Sequence, residues 1–228
     1  MLRFALLLLL VAAVEAKKSA LVDKGVNIML QAVGASRTAG MIRQCSCQEM
    51  QRCIAQDVQT MNRCSAQCYG AFGKVTPTPQ ALKSCLDQGT TNQVVSCVTS
   101  QLFTCGKTGQ TRRYNYQRFY STVALQVQTQ KNALTSSSAL KMVKPVASAG
   151  IDFGVCSLNC FVRSSPDRCF DQLRCQPTVN EAQIRPIARK CFKQIETAAA
   201  SKCYCMLNAG VSSLKNFCGL ASTLMHRG

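Results

Sequence analysis

The spacing of the cysteines constrains this chain more than any other feature. The 228 residues contain sixteen cysteines, and five in the first half recur 105 to 107 residues later in the second. Such a repeat indicates a duplicated unit, because each copy must place its crosslinks at the same points of the same fold. The matched positions are Cys53/Cys160, Cys64/Cys169, Cys68/Cys175, Cys85/Cys191 and Cys97/Cys203, with Cys105/Cys218 at a looser offset of 113.

The N-terminus indicates the compartment in which so many cysteines are used. Arg3 precedes an apolar run over 4–14, and Val14-Glu15-Ala16 is typical of a signal peptidase site. We therefore expect residues 1–16 to be a secretory signal and the mature, extracellular chain to begin at Lys17. No later stretch approaches the roughly 20 apolar residues of a transmembrane helix, so none is expected.

In an oxidising compartment, an even number of cysteines predicts eight disulfides. Zinc ligation is the alternative, and we do not expect a metal because the single histidine, His226, lies two residues from the C-terminus. A cysteine-free stretch between Cys105 and Cys156 leaves eight cysteines on each side, so we expect each half to close its own bridges. The predicted half-cystines are Cys45, Cys47, Cys53, Cys64, Cys68, Cys85, Cys97, Cys105, Cys156, Cys160, Cys169, Cys175, Cys191, Cys203, Cys205 and Cys218.

The fold class follows from the period of the apolar residues. Apolar side chains and cysteines recur at intervals of three and four, and alternating patterns are scarce, so we predict an all-α protein with two tandem small helical disulfide-rich modules. The predicted parts are an N-terminal segment (17–44), a first module (45–106), a basic linker (107–150) and a second module (151–228). Helices are predicted at about 53–68, 79–88, 92–105, 165–173, 187–207 and 212–218.

The linker is the most basic part of the chain. Residues 107–150 carry seven lysines and arginines and no acidic residue. Their 112–120 segment interleaves cations and aromatics, which suits sulfated or phosphorylated polyanions because cations neutralise charge and aromatic faces stack on rings. The alternative is a helix that packs Tyr116, Phe119, Val123 and Val127 onto a module while its cations face water. The candidate polyanion-binding residues are Arg112, Arg113, Tyr114, Tyr116, Arg118 and Tyr120.

The cysteine rhythm resembles a known group of secreted proteins. The pattern Cys45-Ser46-Cys47, Cys53 and Cys64-Ser65-Ala66-Gln67-Cys68, partly repeated at Cys156-Ser157-Leu158-Asn159-Cys160, is similar to nematode chondroitin proteoglycan 4 type domains. The resemblance covers roughly 45–105 and 156–218. It implies an extracellular matrix, eggshell or secreted protein without catalytic residues. Ser-Gly, the usual seed of chondroitin attachment, is absent.

Three functions from different classes remain open. The first is a secreted, non-enzymatic binding or matrix protein whose basic surface engages acidic glycans or an extracellular protein. A cationic, membrane-active host-defence protein is the alternative, because basic helical modules can lie on anionic lipids. An enzyme is third and is not expected, and neither a cofactor nor a nucleic acid partner is predicted.

Overall fold

The computed structural model describes residues 18–87, 90–106, 108–132, 143–164 and 168–219. Several predictions concern residues outside these ranges: the signal segment 1–16, the start of the mature chain at Lys17, the helix start at 165–167, the linker cations Lys107 and Lys141, and His226.

Helices dominate the described residues, so the predicted helical, disulfide-rich fold is confirmed. Their ends differ from those predicted, and α1, α5 and α6 begin in segments that were predicted as an N-terminal segment or a linker. The helices are α1 (Lys18–Ser36), α2 (Cys47–Gln67), α3 (Leu82–Asp87), α4 (Thr90–Leu102), α5 (Tyr116–Thr129), α6 (Lys144–Arg163), α7 (Arg168–Leu173) and α8 (Ile184–Asn208). Short 3-10 turns lie at Tyr69–Lys74, Pro79–Ala81, Glu181–Gln183 and Ser212–Leu214.

Short strands tie distant parts of the chain together. The strand β1 (Arg37–Gln44) lies between β3 (Gln110–Tyr114), which it pairs antiparallel, and β4 (Cys175–Gln176), which it pairs parallel. The strands β2 (Phe103–Thr104) and β5 (Thr178–Val179) form a second antiparallel pair. Backbone hydrogen bonds thus join the N-terminal segment to the second module through β1 and β4, and the first module to the second through β2 and β5. The linker strand β3 is paired with the N-terminal segment.

The helix α2 begins six residues before the predicted start at Cys53. The Ser46 side chain accepts a hydrogen bond from the Glu49 backbone N–H, and the Glu49 carboxylate accepts one from the Ser46 N–H at 2.8 Å. This reciprocal capping box satisfies two backbone donors at the helix start. Ser46 and Glu49 have the spacing that identifies such a start in a sequence.

All sixteen cysteines form disulfides, as predicted, but the prediction that each module closes its own bridges is wrong. The helix α2 lies against α6 and α7, and α8 lies against α3 and α4, so sulfurs of the two modules face each other. Eight cysteines in each module are compatible with this arrangement. Each module supplies one cysteine to each of the six crossing bridges and two cysteines to one internal bridge. The crossing bridges are Cys45–Cys175, Cys53–Cys169, Cys64–Cys160, Cys68–Cys156, Cys85–Cys205 and Cys97–Cys191, and the internal ones are Cys47–Cys105 and Cys203–Cys218.

The six crossing bridges are reciprocal. If Cys53 corresponds to Cys160 and Cys64 to Cys169, the Cys53–Cys169 bridge has the Cys64–Cys160 bridge as its counterpart. In a two-fold symmetric dimer every contact occurs twice, with the roles of the two subunits exchanged. The two modules of this chain are related in the same way by these bridges. The other reciprocal sets are Cys45–Cys175 with Cys68–Cys156, and Cys85–Cys205 with Cys97–Cys191. Reciprocity therefore matches Cys97 to Cys205 and not to Cys203.

The hydrophobic core is shared by the two modules. The rings of Tyr69 and Phe72, from the first module, lie 5.1 and 5.4 Å from the Phe153 ring of the second, measured between centroids. All three side chains are fully buried. The 107–150 segment contributes buried Tyr114 and Val146 to the same core. The segment that connects the two modules in the sequence therefore forms a strand and packed helices.

Among the residues that the structure describes, one segment has the length and composition of a membrane-spanning helix. It covers Lys144–Leu173, and 56% of its most apolar window is buried inside the protein. Core helices of soluble proteins meet the same criteria. This one carries Cys160, which is bonded to Cys64 of α2, and Cys156, which is bonded to Cys68 directly after α2.

Candidate functional site

Three of the predicted site residues lie close together where β3 meets α5. Arg112 and Arg113 are exposed on β3, and Arg118 is exposed in the first turn of α5. Asn115 makes the turn between them: its side chain accepts a hydrogen bond from the Arg118 N–H at 2.7 Å, and its own N–H donates to the Ser36 carbonyl at 2.8 Å. The local sequence thus holds three cations within seven residues.

The base of this arrangement is held by a buried amide. The Gln176 side chain accepts a hydrogen bond from the Tyr114 N–H at 2.8 Å and donates one to the Tyr114 carbonyl at 2.7 Å. Gln176 is 1% exposed. The pairing of β1 with β3 is interrupted by a register shift between Arg37 and Met41. Next to this interruption, the Gln176 amide bonds the backbone groups of Tyr114 as a neighbouring strand would. The end of β3 is therefore fixed from inside the protein.

The arginines of β1 are neutralised by carboxylates. Arg37 forms an ion pair with Glu181, and Arg43 donates two hydrogen bonds to Glu49 at 2.8 and 3.0 Å. The Arg37 hydrogen bond lowers the pKa of Glu181. The hydrogen bonds from Arg43 and from Ser46 lower the pKa of Glu49 to about 2. Both carboxylates are thus ionised near neutral pH, and they offset the two cations.

In contrast, Arg112, Arg113 and Arg118 form no ion pair with a carboxylate of the described residues. No acidic residue lies in the first turn of α5, where Arg118 stands. A cation is unfavourable at a helix N-terminus, because the partial positive charge of the helix lies there. These three exposed arginines make no ion pair with a described carboxylate, although Arg112 acts on Glu181 over a longer distance. We call them the basic ribbon.

The predicted tyrosines pack inward and do not form a stacking platform beside these arginines. Tyr114 is buried, and its hydroxyl donates to the Glu181 carboxylate at 2.5 Å. Burial, with a further effect of that hydrogen bond, raises its pKa to about 12. The half-buried Tyr116 ring lies 5.4 Å from the ring of Phe170, and the half-buried Tyr120 ring lies 4.9 Å from Phe161, edge to face. These rings therefore hold β3 and α5 onto the second module.

One exposed apolar residue next to the basic ribbon was not anticipated from the sequence. Met41 of β1 is 58% exposed and is the register partner of Arg112. The eight residues of β1 show little alternation of apolar and polar side chains, so the sequence did not predict this strand. The pairing of Met41 with Arg112 could therefore not be predicted either. The surface near the ribbon is consequently cationic with an apolar margin.

No group of three or more histidine, cysteine or acidic side chains able to hold a metal ion occurs within the described ranges. No family model, no curated protein and no solved structure matches this chain significantly. The sequence and the geometry of the site therefore carry the functional argument.

Proposed function

We propose that this chain is a secreted, non-enzymatic binding or matrix protein that holds acidic glycans through the basic ribbon. The main support is the contrast between neighbouring arginines: Arg37 and Arg43 form ion pairs with carboxylates, whereas Arg112, Arg113 and Arg118 form none with a carboxylate of the described residues. Planar guanidinium groups bind sulfate and carboxylate oxygens in a bidentate manner. Abundant disulfides are typical of extracellular proteins, where such glycans occur. The resemblance to nematode matrix and eggshell proteins agrees with this assignment.

The membrane-active alternative has less support. Insertion into a bilayer interface requires a contiguous apolar face beside the cations. The exposed large apolar residues of the described chain are Met41, Leu125 and Tyr204, which belong to three different elements. Leakage of anionic liposomes at concentrations that give no glycan binding would favour this alternative over ours.

The proposal is tested by removing the three arginines together. We expect R112Q/R113Q/R118Q to elute from immobilised heparin at a markedly lower salt concentration than the wild type. Polyanion binding releases counterions, so the logarithm of the affinity should also fall less steeply with the logarithm of the salt concentration in the variant. Chromatography over a salt gradient measures the first quantity, and titrations at several salt concentrations measure the second.

A charge-matched control is needed because the whole protein is basic, with a formal net charge of +17. Lys74, Lys83 and Lys215 are exposed and form no ion pair with a described carboxylate, so K74Q/K83Q/K215Q removes the same charge elsewhere. Arg185 and Arg189 are unsuitable, since both contact Asp23. Equal losses from the ribbon and lysine variants would reject the ribbon as a site.

A further inference from the structure

Four other exposed arginines lie beside two of the crossing disulfides. Arg52 precedes Cys53, and Arg168 precedes its bridge partner Cys169. Arg63 precedes Cys64, which is bonded to Cys160, and Arg163 follows Cys160 by three residues. All four side chains are exposed, and none of them forms an ion pair with a described carboxylate.

The bridges determine which way these arginines project. Cys53 and Cys64 face the neighbouring helix, and Arg52 and Arg63 each lie one residue earlier, about 100° from that contact line on α2. Arg63 follows Arg52 by eleven residues, which is three full turns of the helix plus about 20°. The two arginines therefore project in nearly the same direction and are roughly 16 Å apart along the helix axis.

The helices α6 and α7 present their arginines on the same side of the contact line as Arg52 and Arg63. The order of the bridges makes α6 and α7 run antiparallel to α2, so the sense of rotation along them is reversed. On α6 and α7, a residue that lies one position before a bridged cysteine, or three positions after it, then projects to the side that Arg52 and Arg63 occupy. Arg163 and Arg168 are at those positions. The helix α2 and the antiparallel helices α6 and α7 therefore direct four cations to one surface.

The residues between the arginines are uncharged amides. Gln56 and Gln59 of α2 and Asn159 of α6 project to the same side by the same geometry, and all three are exposed. Asp57 lies one turn after Cys53 and projects toward the other side of the contact line. We call this surface the helix face; it comprises Arg52, Gln56, Gln59, Arg63, Asn159, Arg163 and Arg168.

We propose that the helix face is a second binding site for an acidic polysaccharide, and that the chain bridges two polysaccharide segments. Arginines bind the sulfate or carboxylate groups, while the amides supply donors and acceptors for sugar hydroxyls. No aromatic side chain belongs to the helix face, which disfavours nucleobase stacking, and no apolar one belongs to it, which disfavours insertion into a bilayer. The bridging rests on the basic ribbon proposed above, whereas binding at the helix face does not.

The experiment compares three variants that each lose three positive charges. They are the ribbon variant R112Q/R113Q/R118Q, the helix-face variant R52Q/R63Q/R163Q and the lysine control K74Q/K83Q/K215Q. We expect the helix-face variant to bind heparin at least about tenfold more weakly than the control at 0.15 M salt, because local contacts release counterions. We further expect R52K/R63K/R163K, which keeps the charge, to recover most of the affinity, which separates charge loss from misfolding.

Bridging is measured as the turbidity of heparin-coated beads. The wild type and the lysine control should aggregate the beads, whereas the ribbon and helix-face variants should each bind one bead and leave the suspension clear. Equal affinity and equal turbidity for the helix-face variant and the lysine control would overturn the helix face. If the ribbon variant matches the control while the helix-face variant loses affinity, the ribbon proposal fails and the helix face stands as the binding site.

Discussion

The two contact lines between the modules are stabilised in different ways. The first seam, between α2 and the pair α6 and α7, is crosslinked by four bridges, if the bridge from Cys45 to Cys175 of β4 is included. The second seam, between α8 and the pair α3 and α4, has two. The long helix α2 has only Met50, Cys53, Cys64 and Ser65 buried, although it has 21 residues.

The second seam relies more on apolar side chains. Leu82 and Leu86 of α3 and Ile187 and Met206 of α8 are buried in one cluster. The buried Lys202 adds a hydrogen bond from its Nζ to the Cys85 carbonyl at 2.7 Å. The comparison indicates that bridges are most frequent along α2, a helix with few buried apolar side chains, as expected when crosslinks compensate for a thin core.

The largest expected effect concerns the covalent connection between the modules. Inserting a protease site between residues 137 and 138 and cutting it should leave one covalent species without reductant, because six bridges cross the cut. With reductant, two fragments should separate. Denaturing gel electrophoresis under both conditions checks this result. Two fragments without reductant would show that the crossing bridges do not form.

An intermediate effect is expected from removing single bridges at the two seams. With the other bridges intact, Cys68–Cys156 closes a further loop of about 8 residues next to Cys64–Cys160, whereas Cys97–Cys191 closes one of about 26. Chain entropy then predicts that C97A/C191A lowers the free energy of unfolding by about 1 kcal/mol more than C68A/C156A. Urea titration of both variants measures the difference. A greater loss at the closely spaced bridge would contradict this redundancy.

The smallest expected effect concerns the end of the first seam. Arg43 donates to Glu49 of α2 and also to the Leu173 carbonyl of α7 at 3.0 Å. Since the pKa of Glu49 is lowered to about 2, its stabilising effect is complete above its usual value of 4.5 and is lost as the pH falls toward 2. E49Q keeps a capping side chain and removes the charge, so it should lower stability at pH 7 by less than about 1 kcal/mol.

Urea titrations from pH 7 to pH 2 test this third prediction. The wild type and E49Q should become equally stable near the acidic end, because Glu49 is then becoming protonated in the folded protein. D23N is the matched comparison at the contact between α1 and α8, where Arg189 and then Arg185 lower the pKa of Asp23. A difference between wild type and E49Q that stays constant over the whole range would rule out the charge as its cause.

The sequence predicted the helices whose cysteines and apolar residues share one face, such as the second half of α2 and most of α8. It did not predict α1 or β1, because 17–44 contains no cysteine and little periodicity. The fold of 116–129 corresponds to the packed helix that was the alternative to a binding segment. The positions of the ribbon arginines on the surface were predictable, whereas the inward packing of Tyr114 depends on Glu181 and Gln176, which lie more than 60 residues away.

The disulfide partners could not be derived from the sequence. A duplicated unit has the same spacing whether its bridges close within each copy or are exchanged between copies. Only the packing of α2 against α6 decides between these arrangements, and that packing is a tertiary property. Reciprocity, once the partners are known, also corrects the repeat alignment at Cys205.

For a chain that is secreted as proposed, the reciprocal bridges also impose an order of events. Such a chain enters the oxidising compartment from its N-terminus, and of the eight cysteines in the first half only Cys47 and Cys105 have their partner within that half. The other six must stay reduced, or form temporary bonds that are later exchanged, until the second half arrives. A thiolate attacks such a bond through a mixed disulfide, so maturation of this protein should depend on a disulfide isomerase far more than that of two independently closed modules.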